Sequence, residues 1–401
     1  MAVIEEGLVD PRAVRDASLR TESRDAMLDR VRVIAQGPLA HDAERIDRQG
    51  HYPRDILAAL GEAGALGAHL DGNGTDFVGA IRAMTEAGRV CGSTAFMMWC
   101  HQVCGLYMEQ SGNPALTGAR LDAHARGATM GGTGMSNPMK TFARIESMLL
   151  RARAVPGGYR VSGTLPWVSH IAKNHCLGAV AAVVDATGKV VDDQHEVMFI
   201  LDCDAAGVEL KHCPTFSAME GTSTWSVRLT DVLIDADHVV ADPVRPFIGR
   251  IRGAFVLLQT GMGLGVAQGS IDSMWQVEEQ LGHVNAFLDD RPFALQAELD
   301  DLTARIETLA ATPFASGNDY LIDVLDVRAH ASELALRAAQ SALLHHGARG
   351  YLMSAAPQRR VRESHFVAIV TPAIKHLRKE MARLMTPQTP AFDLPAFDLP
   401  G

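Results

Sequence analysis

The periodicity of the apolar residues changes twice along this chain, and that double change constrains the fold more than any other feature. Up to about residue 127 the pattern is helical. Arg24 to Gln36 carries Met27, Leu28, Val31, Val33 and Ile34 as an imperfect stripe. After the break at His51-Tyr52-Pro53, Arg54 to Ala63 places Ile56, Leu57 and Leu60 on one face and ends at Gly64. Phe77 to Val90 and Ser93 to Glu109 predict two further helices, with Ser93 as the N-cap of the second. From about Ala128 the period drops to two. Pro156-Gly157-Gly158 followed by Tyr159-Arg-Val-Ser-Gly163 predicts a hairpin; Leu177 to Val184, Val197 to Leu201 and Trp225 to Leu233 have strand length. Beyond Pro246 helical spacing returns in four long segments: Phe255 to Val277, Arg291 to Ala311, Tyr320 to His346 and Ser364 to Leu384. Each exceeds the usual ~11–12 residues of a helix, so an antiparallel bundle is the expected packing.

The expected architecture is therefore α+β: an N-terminal α-helical domain over 1–127, a β-barrel or sandwich domain over 128–242, a C-terminal four-helix bundle over 243–386, and a tail over 387–401 built on the duplication AFDLP-AFDLP. Charge excludes one class of partner. With 37 basic against 47 acidic side chains the chain is −10, so no nucleic-acid footprint is expected. The longest apolar run, Leu177 to Val184, stops at Asp185, short of the ~18–20 residues of a membrane span. The start MAVIEEGLVD is acidic and lacks the basic and apolar regions of a secretory signal, and a cytoplasmic location is expected. The six cysteines (91, 100, 104, 176, 203 and 213) include no Cys-x-x-Cys pair and read as small buried hydrophobes in a reducing compartment; no metal site is expected. Aromatics are 5% while Met reaches 17, a composition that suits either an ordinary Ala/Leu-rich core or an adaptable cavity.

Several segments, in this order and at these intervals, resemble the acyl-CoA dehydrogenase superfamily, including its flavin-monooxygenase branch. They are Tyr52-Pro-Arg-Asp-Ile-Leu-Ala-Ala-Leu-Gly, Gly134-Met-Ser-Asn-Pro138, Tyr159-Arg-Val-Ser-Gly-Thr-Leu-Pro-Trp-Val-Ser169, Thr222-Ser-Thr-Trp-Ser-Val-Arg-Leu-Thr-Asp-Val, Gly261-Met-Gly-Leu-Gly265, His346-Gly-Ala-Arg-Gly-Tyr351 and Arg360-Val-Arg-Glu-Ser364. The resemblance implies a flavin between the β domain and the bundle, FAD with FMN as the alternative, in a homotetramer or homodimer. Met135, Ser136, Trp167, Ser169 and Arg349 are the expected cofactor contacts. Ser136 would serve the pyrimidine edge, Trp167 would form a flat wall, and the Ser169 hydroxyl would reach N5, because a flavin needs directed hydrogen bonds from a mostly apolar pocket. For each of these an ordinary core or loop role is the competing reading.

The same resemblance shows what is missing. The family's dehydrogenases use a carboxylate base to take the proton α to a thioester carbonyl. The two places known for it fall at Thr371 and near Phe255, neither of them acidic. The arginine that reaches a neighbouring subunit's FAD diphosphate appears as Glu278, and a glutamine before the Gly347-Ala348 motif appears as Leu344; Arg349, Arg291 or Gln296 are the candidate substitutes. Oxidation or monooxygenation with dioxygen, of an acyl thioester or a small organic substrate, is therefore expected ahead of ordinary dehydrogenation. Dehydrogenation with a base relocated to Glu220 or Glu363 and a non-catalytic relative are the alternatives. Met97, Met98, Met135, Phe255 and Val370 would line a dry substrate pocket, and His101, Ser136 and Ser169 would supply donors. Ser169, His101 and Thr371 are the candidate catalytic residues. His365 is a weaker one, and His345-His346 reads as a helix end. The expected partners are a small-molecule substrate, in the form of CoA or a carrier thioester, and a separate flavin reductase.

Overall fold

The structure is a computed structural model that describes residues 11–73, 75–192 and 195–386. The expected tail over 387–401 and the first ten residues of the expected N-terminal domain lie outside them. Helix α1 (Pro11–Ile34) runs through a π-helical turn at Ala35–Leu39 into α2 (Ala40–Gln49), with Pro38 inside that turn. A wider turn accommodates a residue that has no N–H to donate. Helix α3 (Arg54–Glu62) buries Ile56, Leu57 and Leu60, and Gly64 just beyond it takes φ 90°, a conformation that favours glycine. Helix α4 (Phe77–Val90) is capped by Asp76, whose carboxylate accepts the Gly79 N–H at 2.9 Å.

Helix α5 (Gly92–Gln110) is buried from Gly92 to Met108, so it is the axle of the helical core rather than an amphipathic surface helix. Its start corrects the sequence expectation. Ser93 is not the N-cap: the cap position is Cys91, and the Gly92 N–H is taken at 3.0 Å by the carboxylate of Glu363, 271 residues away. A negative charge at a helix N-terminus also meets the positive end of the helix dipole.

After α6 (Ala119–Ala125) come the short strand β1 (Gly131–Thr133) and α7 (Ser136–Phe142). Strands β2 (Leu150–Val155), β3 (Gly158–Val168), β4 (Cys176–Val184), β5 (Glu196–Asp202), β6 (Val208–His212), β7 (Trp225–Asp235) and β8 (Val239–Ala241) complete one sheet. Its order is β6-β7-β3-β2-β4-β5-β8, with β1 pairing β4 in parallel. The expected hairpin is β2–β3, and its register runs from Val155 opposite Gly158 to Leu150 opposite Gly163. Strand β4 shows why its sequence is an unbroken apolar run. Val180 and Ala182 pack into the helical core, while Leu177, Ala179, Ala181 and Val183 pack into a second core on the other face of the sheet.

Helix α8 (Val244–Asn285), α9 (Pro292–Ala310) and α10 (Asn318–His346) match three of the expected long helices, and α8 is much longer than its predicted segment. One stretch of α8 has mean hydropathy 1.2 over a span-length window, longer than the apolar runs visible by eye, yet 94% of that window is buried inside the protein. The fourth segment is two helices, α11 (Ala356–Ile369) and α12 (Ile374–Met385). Pro372 forces the break: the chain turns extended at Val370, where a proline two residues on cannot continue the hydrogen-bond ladder.

A charge cluster at the edge of the sheet carries a pH prediction. His238, on the turn before β8, lies 2.6 Å from an Asp235 oxygen through Nδ1 and 3.2 Å from an Asp202 oxygen through Nε2. The hydrogen bond to Asp202, against burial and with help from Asp235, raises its pKa from the ordinary 6.5 to about 9. Between those values the folded protein holds a proton that the unfolded chain has released, so stability falls as pH rises. Urea midpoints should drop between pH 6.5 and 9 by the equivalent of about 1–2 kcal/mol after solvent screening, and His238→Gln should flatten that slope. An unchanged slope in the variant would exclude His238 as its source.

Candidate functional site

The candidate cleft is the junction of the sheet with the bundle, where four short segments meet. The end of β3 leads into Ser169 and His170. Here the His170 N–H bonds the Thr222 carbonyl at 2.8 Å, and Ser223 Oγ donates to the Ile171 carbonyl at 2.7 Å. This lacing forces three non-glycine residues into left-handed backbone: His170 (φ 61°), Met219 (φ 69°) and Ser223 (φ 49°). Such strain persists only where the surroundings over-determine it, and it collects at sites that must be rigid. Gly132 lies so close that a Cβ on it would stand 2.5 Å from the Ser169 carbonyl, and one on Gly134 would meet Leu165 at 2.9 Å. Met135 and Ser136 are thereby delivered beside the end of β3. Arg362 on α11 donates to Asp47 and, at 3.2 Å, to the Ser217 carbonyl, which ties the bundle to the loop that precedes Met219.

Within this frame the structure brings together some of the sequence-derived candidates. Ser136 Oγ and Thr371 Oγ1 are 3.0 Å apart, which joins the start of α7 to the α11–α12 junction. Ser169 Oγ is 2.6 Å from Thr224 Oγ1, which is 2.8 Å from Thr222 Oγ1, a short chain of hydroxyls. Trp167 is 60% exposed and stands edge to face with Phe216, ring centres 6.2 Å apart. An adjoining pocket of about 240 Å³ is lined by Tyr52, Phe216, Met219, Glu220, Thr224 and Trp225, among others.

Other candidates lie elsewhere. His101 is fully buried and stacked on His124, with ring centres 3.7 Å apart and planes 3° from parallel. Burial, then the neighbouring imidazoles His124 and His170, hold its pKa well below the ordinary histidine value. Met97 is fully buried, and Phe255 packs at 5.2 Å on Trp99 and at 6.5 Å on Tyr107. Neither lines the 240 Å³ pocket. Val370 is half-buried at the end of α11, and Arg349 is exposed on the turn after α10. Glu363, a candidate relocated base, is committed to capping α5 and lies beside Arg359; burial pushes its pKa up. Glu220 accepts the Phe216 N–H. His365 is exposed.

The sequence reading missed two features. The first is the run Thr222-Ser223-Thr224, taken only as the start of a strand, whose three adjacent hydroxyl residues were the available signal. The second is a buried cation. Arg328 on α10 is fully buried; its Nε donates to Gln259 Oε1 at 2.7 Å, its Nη2 to the Val367 carbonyl at 2.9 Å, and its Nη1 to Ser332. Gln259 Nε2 in turn donates to the Thr371 carbonyl at 3.1 Å. Among the described residues no carboxylate pairs with this guanidinium. Burial lowers its pKa to about 9, which leaves it charged at neutral pH. Behind Thr371, then, stands a positive charge.

Residues 21–128 match the model of the acyl-CoA dehydrogenase N-terminal domain. Along most of its length the chain is similar to the cyclohex-1-ene-1-carbonyl-CoA dehydrogenase of Syntrophus aciditrophicus, at 23% identity over 372 residues, 88% of this chain and 87% of the relative. In fold it is similar to butyryl-CoA dehydrogenase from Megasphaera elsdenii, with a TM-score of 0.77, 15% identity, and coverage of 96% of this chain and 99% of that one. It is also similar to the FMN-bound form of a dibenzothiophene monooxygenase from Paenibacillus sp. A11-2, with a TM-score of 0.75 at 16% identity, covering 89% and 96% of the two chains.

Proposed function

The chain is acyl-CoA dehydrogenase-like in its N-terminal domain and in its fold, and from that premise we propose that it is a flavin-dependent oxidoreductase that works with dioxygen rather than by base-assisted dehydrogenation. The observation that carries this reading is the Ser136–Thr371–Gln259–Arg328 chain. Where a dehydrogenase of this family would keep a carboxylate to remove a proton, this chain has a threonine whose backbone carbonyl is tied through Gln259 to a buried cation. A threonine without an adjacent base does not take a carbon-bound proton at neutral pH. A cation behind it favours negative charge at that edge of the cleft.

The residues of the cleft suit a flavin. Trp167 offers an exposed aromatic ring, Ser169 and Thr224 bring hydroxyls, and Met135 and Ser136 stand at the start of α7. A bound flavin would supply two-electron transfer between a reduced donor and dioxygen. The left-handed residues that lace the Ser169 loop to the Thr222 loop fix the position of these hydroxyls. The resemblance implies FAD. One observation favours FMN: Glu278 is paired with Arg291, and Gln296 is bound to Gln268 and Asp300, so two of the three candidate diphosphate ligands are already engaged. The substrate class is an acyl thioester or a small organic molecule, with a separate reductase as the electron source.

An absorbance scan of the purified protein, with chromatography of the released flavin, tests the proposal. Bound flavin is expected that is reduced by dithionite, reoxidised by dioxygen with substrate-dependent product, and not bleached anaerobically by a panel of acyl-CoAs. Protein that binds no flavin would refute it. Bleaching by any thioester would favour the second reading, dehydrogenation by a relocated base, for which Glu220 in the pocket wall is the candidate; Glu220→Gln should then abolish the bleaching.

A further inference from the structure

Away from the cleft, three elements bring soft ligand atoms to one buried point. Cys104 on α5 and Cys176, the first residue of β4, have their sulfurs 4.0 Å apart. These sulfurs and a ring nitrogen of His124 on α6 lie within 4.8 Å of one another. Cys104 and His124 are fully buried and Cys176 is 7% exposed. Reading the cysteines as small hydrophobes accounts for thiols surrounded by hydrocarbon; it does not account for two thiols facing each other and an imidazole.

The imidazole is prepared for ligation. His124 Nε2 lies 2.9 Å from the His101 carbonyl oxygen, which can only accept, so Nε2 carries the proton. Nδ1 is then an unprotonated lone pair, and it is buried without any partner. An orphaned buried nitrogen is costly, and a histidine oriented by a backbone carbonyl through its other nitrogen is the usual arrangement of a metal ligand. The sulfur spacing agrees: two bonds of about 2.3 Å at tetrahedral to trigonal angles place thiolates about 3.8–4.0 Å apart. Room is left by Gly131, where a Cβ would stand 2.7 Å from Cys104 Sγ, 2.8 Å from His124 Cε1 and 3.2 Å from Cys176 Sγ. Besides Cys104, the Cys176 thiol has a long contact at 3.8 Å to the Met130 carbonyl, which a thiolate gives up at little cost, and accepts from the Arg120 guanidinium, which a thiolate strengthens.

We propose that Cys104, His124 and Cys176 form a site for one thiophilic d10 cation, Zn²⁺ or Cu⁺, which staples α5, α6 and the sheet together. Binding replaces the two S–H bonds by metal–sulfur bonds and releases two protons to solvent, with no change of oxidation state. Arg120, held at 2.6 Å by Asp202 and hydrogen-bonded to Cys176, offsets the negative charge of the thiolates.

The test uses full-length protein purified from cells grown with zinc, with copper or with cobalt. Elemental analysis should find close to one equivalent of zinc or copper per chain, and the element retained under mixed supply identifies the native ion. Cys104→Ser and Cys176→Ser should each lower the content at least about tenfold. Because these variants sit in the core, a second readout requires no mutation: the cobalt-grown protein should show thiolate-to-cobalt charge-transfer absorption. Wild-type protein that contains neither zinc nor copper and lacks the cobalt band would overturn the proposal. So would a Cys104–Cys176 disulfide in protein isolated without oxidant. Metal content is read separately from flavin content, so failure here leaves the cleft reading untouched.

Discussion

Truncation of Arg328 to alanine is expected to cost about 3–5 kcal/mol of folding stability, the range for breaking a buried polar network. Two effects add. Gln259 Oε1 and the Val367 carbonyl lose the donors that reach them at 2.7 and 2.9 Å, and a fully buried side chain leaves a cavity between α8, α10 and α11. Arg328→Met separates them, because it restores volume without restoring donors and removes the cost of burying a charge. It should recover part of the loss. The network also reaches the cleft, since Gln259 holds the Thr371 carbonyl, so both variants should bind flavin more weakly even where they remain folded. Urea midpoints and flavin occupancy measure the two consequences. A loss below about 1 kcal/mol in Arg328→Ala would show that the buried cation is not a structural tie.

The second large effect is steric. Gly265 on α8 crosses Gly88 on α4 so closely that an added Cβ would lie 2.7 Å from the Gly88 Cα and 2.8 Å from the Thr85 carbonyl. Both neighbours are backbone and cannot move aside as a flexible side chain would. Gly265→Ala should therefore destabilise by about 2–3 kcal/mol, near the top of the range for overpacking, and Gly265→Leu by more. Gly249, exposed on the same helix with nothing within 4 Å of its Cβ position, is the internal control. Gly249→Ala should be neutral or stabilise by up to about 1 kcal/mol, because alanine has the higher helix propensity. Equal effects at the two glycines would mean that helix propensity rather than helix crossing governs α8.

How much of this was legible beforehand depends on the range of the interaction concerned. The β2–β3 hairpin, α3 with its terminal glycine and α4 were readable because period and turn chemistry act over a few residues. The division of the last helix was also written locally, in Pro372, but was outweighed by helical spacing on both sides of it. The cap of α5 was not readable. Ser93 had the right chemistry for an N-cap, and the carboxylate that takes the Gly92 N–H belongs to Glu363, on a helix near the other end of the chain. In the cleft, Ser136, Thr371, Ser169 and Trp167 were singled out from motif order, and two of them proved to be hydrogen-bonded to each other. His101 was singled out on residue type alone and is packed against His124 in the core.

What the sequence determined by itself was the succession helix, sheet, helix, and the absence of a carboxylate at both expected base positions. Periodicity and residue identity are properties of the chain, and they survive without coordinates. Only the tertiary structure decided what stands in place of the base. An arginine in an amphipathic helix, as Arg328 is, reads as a surface residue until packing shows that it points inward, where desolvation makes its charge strong and its partners obligatory. The same holds for Cys104, His124 and Cys176. Their spacing along the chain fits no metal motif, because the point they share is made by a helix crossing onto a parallel pair of strands.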